Sequence, residues 1–199
     1  VPEVADRDEE WPVVSTALPY DGDGWIVRLR ADRIQRPGHP EEEPFKRLVV
    51  EHPGAVVVLA VDHDERVLCL RQYRHAVGQN LVQLPAGLCD VEGEDPVDVG
   101  RRELAEEAGF EAAEWTHLIS TYSSPGILEE LVHYFVARSL TEVGRGDFEP
   151  RHEEAEMETI WVPVAELRAA VLAGRVHDAH LTIALLGAHA RNLVGPSSG

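Results

Sequence analysis

Gly87-Leu88-Cys89-Asp90-Val91-Glu92-Gly93-Glu94 leads through Asp95-Pro96-Val97-Asp98-Val99-Gly100-Arg101 into Arg102-Glu103-Leu104-Ala105-Glu106-Glu107-Ala108-Gly109-Phe110. The stretch reads as a glycine-bearing loop entering one short, capped helix. Asp95 suits the N-cap, Pro96 suits the first helical position, where its missing N–H costs nothing, and Gly109 suits the left-handed residue that ends the helix. The pattern predicts a helix over residues 96–108. At about 100° per residue, Glu103, Glu106 and Glu107 share an arc of about 100°, while Val97, Leu104 and Ala108 cluster on a different one. One face packs and the other gathers negative charge. Like charges three and four residues apart cost about 0.2–0.5 kcal/mol per pair on an exposed helix. Bound hard cations would offset that cost, and solvation of an acidic face on an acidic protein would relieve it too. The spacing of the three glutamates alone leaves both readings open.

Before this stretch, residues 54–61 form a continuous apolar run, which predicts a strand covered on both faces. The turn at 62–66 leads to residues 67–74, read as a second strand and its hairpin partner, and residues 81–86 give one more short strand. After it, strands over 115–122 and 132–138 flank the loop 123–130. A polar loop over 141–156 contains Arg151-His152-Glu153-Glu154, and a strand covers 159–162. Pro163 opens a helix with Val164, Leu167, Ala170 and Val171 on one side, stopping at Gly174. Asp178 caps a last helix that runs to about Arg191, with Leu181, Ala184, Leu185 and Ala188 on one side. Strands on both sides of a helix indicate an α/β layered domain.

Residues 1–10 read as an acidic arm, followed by strands over 11–17, 24–34 and 45–51. Tyr20-Asp21-Gly22-Asp23-Gly24 reads as a hairpin turn, because it lacks the spaced ligands and closing glutamate of a calcium loop. These early strands are too few to bury a core alone and are expected to pair with the main domain or with a second subunit. The expected organisation is an N-terminal arm and β-region over 1–50, serving dimerisation, a main domain over 51–192 and a flexible tail over 193–199.

Hydrophobic residues make up 44% of the 199 and charged residues 27%, as in ordinary soluble domains, and the formal net charge is −18. That balance argues against nucleic acid, which is held by clustered lysine and arginine. It leaves room for a small phosphorylated substrate, because local arginines and bound cations can reverse the field inside one cleft. No apolar run approaches the roughly 18 residues of a membrane span, and no secretory signal is legible, so no membrane partner and a cytoplasmic location are expected. Cys69 and Cys89 are the only cysteines and are expected to be reduced, Cys69 as a buried strand residue. His177-x-x-His180 reads as surface or helix-cap chemistry rather than a zinc ligand set.

The order of residues in the opening stretch resembles the Nudix box, G-x5-E-x7-R-E-U-x-E-E-x-G-U with U aliphatic or aromatic. Arg102 to Phe110 matches the second half at every specified position, and Glu94 stands at the required spacing before Arg102. Six residues rather than five separate Gly87 from Glu94, a loop insertion that is cheap to accommodate and that also occurs in some ADP-ribose pyrophosphatases of the family. The resemblance implies an α/β/α sandwich with a mixed sheet, plus a small N-terminal β-region. It also implies Glu103 and Glu107 as metal ligands, Glu106 as a further or water-mediated one, and the backbone carbonyl of Ala86 as another. Arg102 would orient the carboxylates and Glu94 would brace the loop. Oxygen-only ligands suit Mg²⁺ or Mn²⁺.

Outside the box the resemblance extends over residues 24–190 and narrows to the ADP-ribose pyrophosphatase branch. Pro125, sixteen residues after Gly109, stands where that branch has its marker proline, with Gly126 beside it, and Gln72-Tyr73-Arg74 and residues 49–56 also look like this branch. The branch places a water-activating glutamate on a loop after the box, matched here by Glu154 with Glu153 as rival, and a residue near the terminal ribose at Glu130. Arg74 and Arg47 are candidates for phosphate contacts, offering forked donors. Trp25 is a candidate for stacking on adenine, with core or interface packing as the alternative. The implied activity is Mg²⁺-dependent hydrolysis of ADP-ribose to AMP and ribose 5-phosphate by a homodimer. The alternatives are a Nudix hydrolase for another nucleoside diphosphate derivative, such as a nucleotide sugar or dinucleotide, and a non-catalytic ADP-ribose-binding regulator.

Overall fold

The computed structural model describes residues 3–24, 26–146 and 157–195. Trp25, Glu153 and Glu154 therefore lie outside the described residues. Elements follow in the order β1 (Val13–Tyr20), β2 (Arg28–Ile34), β3 (Phe45–Glu51), β4 (Ala55–Ala60), β5 (Arg66–Arg74), β6 (Gln79–Gln83), β7 (Ala86–Leu88), α1 (Pro96–Ala108), β8 (Phe110–Tyr122), β9 (Leu131–Glu142), β10 (Glu158–Pro163), α2 (Val164–Leu172) and α3 (Ala179–Ala190). The described residues divide into two compact units, one drawn from Val1–Pro53 and Tyr122–Glu130, the other from Gly54–Thr121 and Leu131–Gly199.

The larger unit is an α/β/α sandwich organised around β4. All side chains from Val56 to Ala60 are buried, as the unbroken apolar run predicts. Because successive strand residues point to opposite faces, the run feeds two cores. Val57, Leu59 and Val61 pack with Val164 and Leu167 of α2 and Leu181, Ala184, Leu185 and Ala188 of α3. Val56, Val58 and Ala60 pack with Val99 and Leu104 of α1. The sheet is mixed, in the order β7-β4-β9-β8, with β4 antiparallel to β7 and parallel to β9. A second sheet has the order β10-β5-β6, antiparallel throughout.

Two strand expectations are corrected. Residues 67–74 are not the hairpin partner of β4: across the turn the two segments share the isolated bridge Val61–Val67, and β5 then joins the second sheet. Both edges of β4 are already taken, by β7 and β9, so β5 must find its hydrogen bonds elsewhere. The single strand expected over 81–86 is two, β6 in one sheet and β7 in the other. Pro85, which has no N–H to give a ladder, sits at the switch, while its carbonyl accepts from Val58 N–H at 2.9 Å.

The smaller unit is the antiparallel sheet β1-β2-β3 with the segment 122–130 along β3. Val50 N–H donates to Ile127 O at 2.7 Å and Glu129 N–H donates back to Val50 O at 3.2 Å. Every residue of β1 is exposed. Among the described residues no helix is long and apolar enough to cross a membrane.

The turn after β4 is held by one buried carboxylate. Asp62 Oδ1 accepts from the N–H groups of Asp64 (3.0 Å) and Arg66 (2.8 Å), and Oδ2 accepts from Arg66 Nε at 2.8 Å. Burial works to raise its pKa, but these donors and the guanidinium charge outweigh it and hold the carboxyl below the ordinary aspartate range. A depressed folded-state pKa stabilises the fold above the unfolded value, about 3.9, and that contribution is lost as pH falls through the folded value. Asp62→Asn is therefore expected to be less stable than the parent chain at pH 7, with a difference that shrinks steadily below about pH 4. Urea titrations at a series of pH values measure it, and a difference independent of pH would exclude the role given to this carboxylate.

Candidate active site

The site is built where the loop after β7 meets α1. The helix ends are set by local chemistry: Asp95 is extended (φ −68°, ψ 133°) and its side chain accepts from Val97 N–H, and Gly109 is left-handed (φ 76°) with its N–H returned to the last turn. Leu104 and Val99 are fully buried against the sheet. Gly100 gives the close approach, since a Cβ there would lie 3.2–3.3 Å from Trp115, Val56 and Val58. The packed face fixes the rotation of the helix and thereby aims Glu103, Glu106 and Glu107.

Two of the three glutamates bear on the same two residues of β7. A Cβ on Gly87 would fall 2.1 Å from Glu103 Cγ and 2.2 Å from its Cδ and Oε1, so the Glu103 side chain occupies the space that glycine leaves. One turn on, Glu107 Oε2 accepts from Ala86 N–H at 2.9 Å. Ala86 is itself held opposite Val57 of β4. Arg102 gathers the rest: its Nη1 donates to Glu103 Oε1 at 2.7 Å and reaches Glu106 Oε2 at 3.5 Å, and its Nη2 lies 3.8 Å from Glu94 Oε2. Burial works against the Arg102 charge, but Glu103, Glu106 and Glu94 outweigh it and raise the pKa above its ordinary value. Among the described residues no donor hydrogen-bonds to Glu94 Oε2, which is buried.

This donor set fits a hard divalent cation. It is made of carboxylate oxygens and the adjoining Ala86 backbone, with one ligand candidate seated in a cradle that any other residue at position 87 would fill. Among the described residues, the groups of three acidic or histidine side chains whose ligand atoms lie within 4.8 Å of one another are His39, Glu41 and Glu42, and Asp62, His63 and Asp64. The box carboxylates are spread more widely, because Arg102 draws Glu103 and Glu106 while Ala86 N–H holds Glu107. The Asp62 group is accounted for by its turn. Neither thiol offers nucleophilic chemistry: burial pushes Cys69 up to about 12, and burial followed by Glu94 and Asp90 pushes Cys89 up.

Of the residues singled out for substrate, Arg47, Pro125 and Gly126 line one cavity of about 480 Å³ in the smaller unit. The Arg47 guanidinium lies 4.3 Å from the centroid of the Phe45 ring. Glu130, in the same unit, has Oε1 at 3.5 Å from His52 Nδ1. Arg74 belongs to the larger unit and donates through Nε to Gln83 Oε1 at 2.6 Å. His177 Nε2 meets Gly174 O at 3.0 Å and His180 Nδ1 meets Tyr134 Oη at 2.8 Å, so the two histidines serve separate hydrogen bonds. Tyr122, Ile127 and Leu128 also line the cavity and were not anticipated. Their signal in the sequence is slight, an aromatic at a strand end and aliphatics beside Pro125-Gly126.

Comparison with known proteins agrees with this geometry. A model of the NUDIX domain matches residues 51–184. An ADP-ribose pyrophosphatase of Mycobacterium tuberculosis is 41% identical over 167 residues, covering 84% of this chain and 78% of its own length. A methanol dehydrogenase activator of Bacillus methanolicus is 32% identical over 162 residues, covering 81% of this chain and 84% of its own. A crystal structure of an ADP compounds hydrolase shares the fold, with a TM-score of 0.73 at 18% identity over 94% of this chain and 96% of that one. With the box glutamates gathered on a helix that packs against a mixed sheet, and a family model matching most of its length, the chain belongs to the Nudix family.

Proposed function

We propose that this protein is an Mg²⁺- or Mn²⁺-dependent pyrophosphatase that hydrolyses ADP-ribose to AMP and ribose 5-phosphate. The observation that carries the reading is the seating of Glu103 on Gly87 and of Glu107 on Ala86 N–H, which gathers an oxygen-only ligand set on one helix turn. The 41% identity to a relative named ADP-ribose pyrophosphatase supports the choice of substrate. Glu103, Glu106, Glu107 and the Ala86 carbonyl would hold the cation, which when bound would neutralise the diphosphate and acidify water. Arg102 orients Glu103 and Glu106. Glu154, with Glu153 adjoining, takes the proton of the attacking water. That water's oxygen joins one phosphorus as the bridging P–O bond breaks, and the other phosphate carries the bridging oxygen away. For the substrate itself the family resemblance implies Arg74 and Arg47 as phosphate contacts, Glu130, Pro125 and Gly126 as residues for the sugar end and Trp25 as a residue for adenine.

A homodimer belongs to the same proposal. β1 is the edge strand of its sheet and exposes Val13, Val14, Leu18 and Tyr20, each more than 40% accessible, an apolar edge that pairing with a second copy would cover. A reducing, cytoplasmic compartment fits the two free thiols.

Incubation with ADP-ribose and Mg²⁺ is expected to yield AMP and ribose 5-phosphate in equal amounts. Better turnover of nucleotide sugars or dinucleotides would overturn the substrate, and absence of product from all of them would overturn the enzyme. Glu107→Gln keeps an acceptor for Ala86 N–H and so is expected to fold normally. It should lose about two orders of magnitude in kcat, since several kcal/mol of charge stabilisation depends on the ligand set. Gly87→Ala forces Glu103 out of its cradle and is expected to weaken Mn²⁺ binding at least about tenfold in a paramagnetic titration, with helix content unchanged. Equal affinity in the two proteins would remove Glu103 from the ligand set. Sedimentation equilibrium is expected to give twice the 22.0 kDa mass of one chain. A mass of one chain at all concentrations would remove the dimer.

A further inference from the structure

Arg74 closes β5, where the strand register sets it opposite Gln79 and sets Gln83 opposite Leu70. Its side chain does not stay with its cross-strand neighbour. It bends back along β6, and its Nε donates to Gln83 Oε1 at 2.6 Å. The Gln83 Nε2 donates in turn to Asp178 Oδ2 at 2.6 Å. The other oxygen of Asp178 caps α3, accepting from Leu181 N–H at 2.7 Å, and Asp178 is buried at 7% exposure. A three-residue relay thus runs from a helix cap to the guanidinium. Among the described residues, the Arg74 Nη groups make no hydrogen bond.

The relay has one polarity. A carboxylate only accepts and a guanidinium only donates, so the amide between them is satisfied in a single orientation, NH₂ toward Asp178 and carbonyl toward Arg74. Both side chains ahead of Arg74 are fixed in turn by the cap, and the cap by the helix. An arginine held by its Nε is spared much of the rotamer entropy it would lose on gripping a phosphate with its Nη pair.

We propose that Gln83 is a positioning residue for Arg74, set by the Asp178 carboxylate, and that the relay presents the Arg74 Nη pair to an anionic oxygen of the substrate diphosphate. The inference rests on the phosphate role proposed for Arg74. Gln83 acts on binding and not on the reacting atoms, so its loss falls on KM.

Steady-state kinetics of the full chain on ADP-ribose, with melting temperatures recorded alongside, test it. Gln83→Leu is expected to raise KM about fivefold, equivalent to about 1 kcal/mol, with kcat changed less than about twofold. Asp178→Asn keeps a cap oxygen but turns an NH₂ toward Gln83, which reverses the amide and sets its NH₂ against Arg74, so KM should rise similarly. Adding Gln83→Glu to Asp178→Asn restores an acceptor between two donors, and KM should return toward the parent value. A purely structural role of the cap would lower the melting temperature in both Asp178 variants without that recovery. The inference is overturned if Arg74→Ala raises KM while Gln83→Leu does not, or if the double variant is no better than Asp178→Asn. If Asp178→Asn does not fold, Gln83→Leu alone decides. If Arg74→Ala leaves KM unchanged, the phosphate role of Arg74 falls and the inference with it, while turnover of ADP-ribose by the parent chain still supports the enzyme assignment.

Discussion

Glu103 fills the volume that a side chain at position 87 would occupy, and this contact couples the loop to the helix. It requires α1 to lie close on β7, which requires Gly100 to admit the helix to the sheet and Leu104 to hold it there. Those in turn depend on β4 being apolar on both faces, since Val56 and Val58 receive α1 while Val57 and Leu59 receive α2 and α3. The chemistry of the site is therefore an outcome of packing. A helix rotated by one residue, about 100°, would carry the glutamates off the loop and put a charge into the core.

What could be read from residue order was what is decided locally. The ends of α1 follow from Asp95, Pro96 and Gly109 acting within one turn of themselves, and the Asp178 cap of α3 and the buried sides of α2 and α3 follow in the same way. Strand partners were harder, because a strand's partner depends on which edges are already occupied. Nothing between residues 62 and 74 announces that β4 will be flanked by β7 and β9, and so nothing there announces that β5 must join β10 and β6. Pro85 was visible as a residue without a donor, but its meaning as a crossing between two sheets appears only when both sheets are in place.

The candidate site divides along the same line. The glutamates of the helix are legible because helical spacing puts them on one face, and the box order then distinguishes a ligand set from a solvated one. The relay from Asp178 through Gln83 to Arg74 is invisible by comparison, since its hydrogen bond from Gln83 to Asp178 spans 95 residues. Asp178 could be recognised as a cap, yet a cap needs only one of its two oxygens. The second oxygen is buried with the first and must also be satisfied.

Electrostatics sets the remaining constraint. The chain carries a formal charge of −18, yet charges beyond about 8 Å are largely screened at physiological salt, so an anionic substrate responds mainly to what lies near it. Around α1, Arg102 stands against Glu94, Glu103 and Glu106, with Glu107 on the same helix face. One guanidinium among four formally charged carboxylates leaves the cluster repelling a diphosphate. A single divalent cation reduces that excess without reversing its sign. Attraction must then come from further cations in the same ligand set or from arginines whose charge is not spent on carboxylates. Among the described residues Arg74 is such a residue, because its Nε is engaged by the Gln83 side-chain oxygen while its Nη pair, which makes no hydrogen bond there, is left to meet a phosphate.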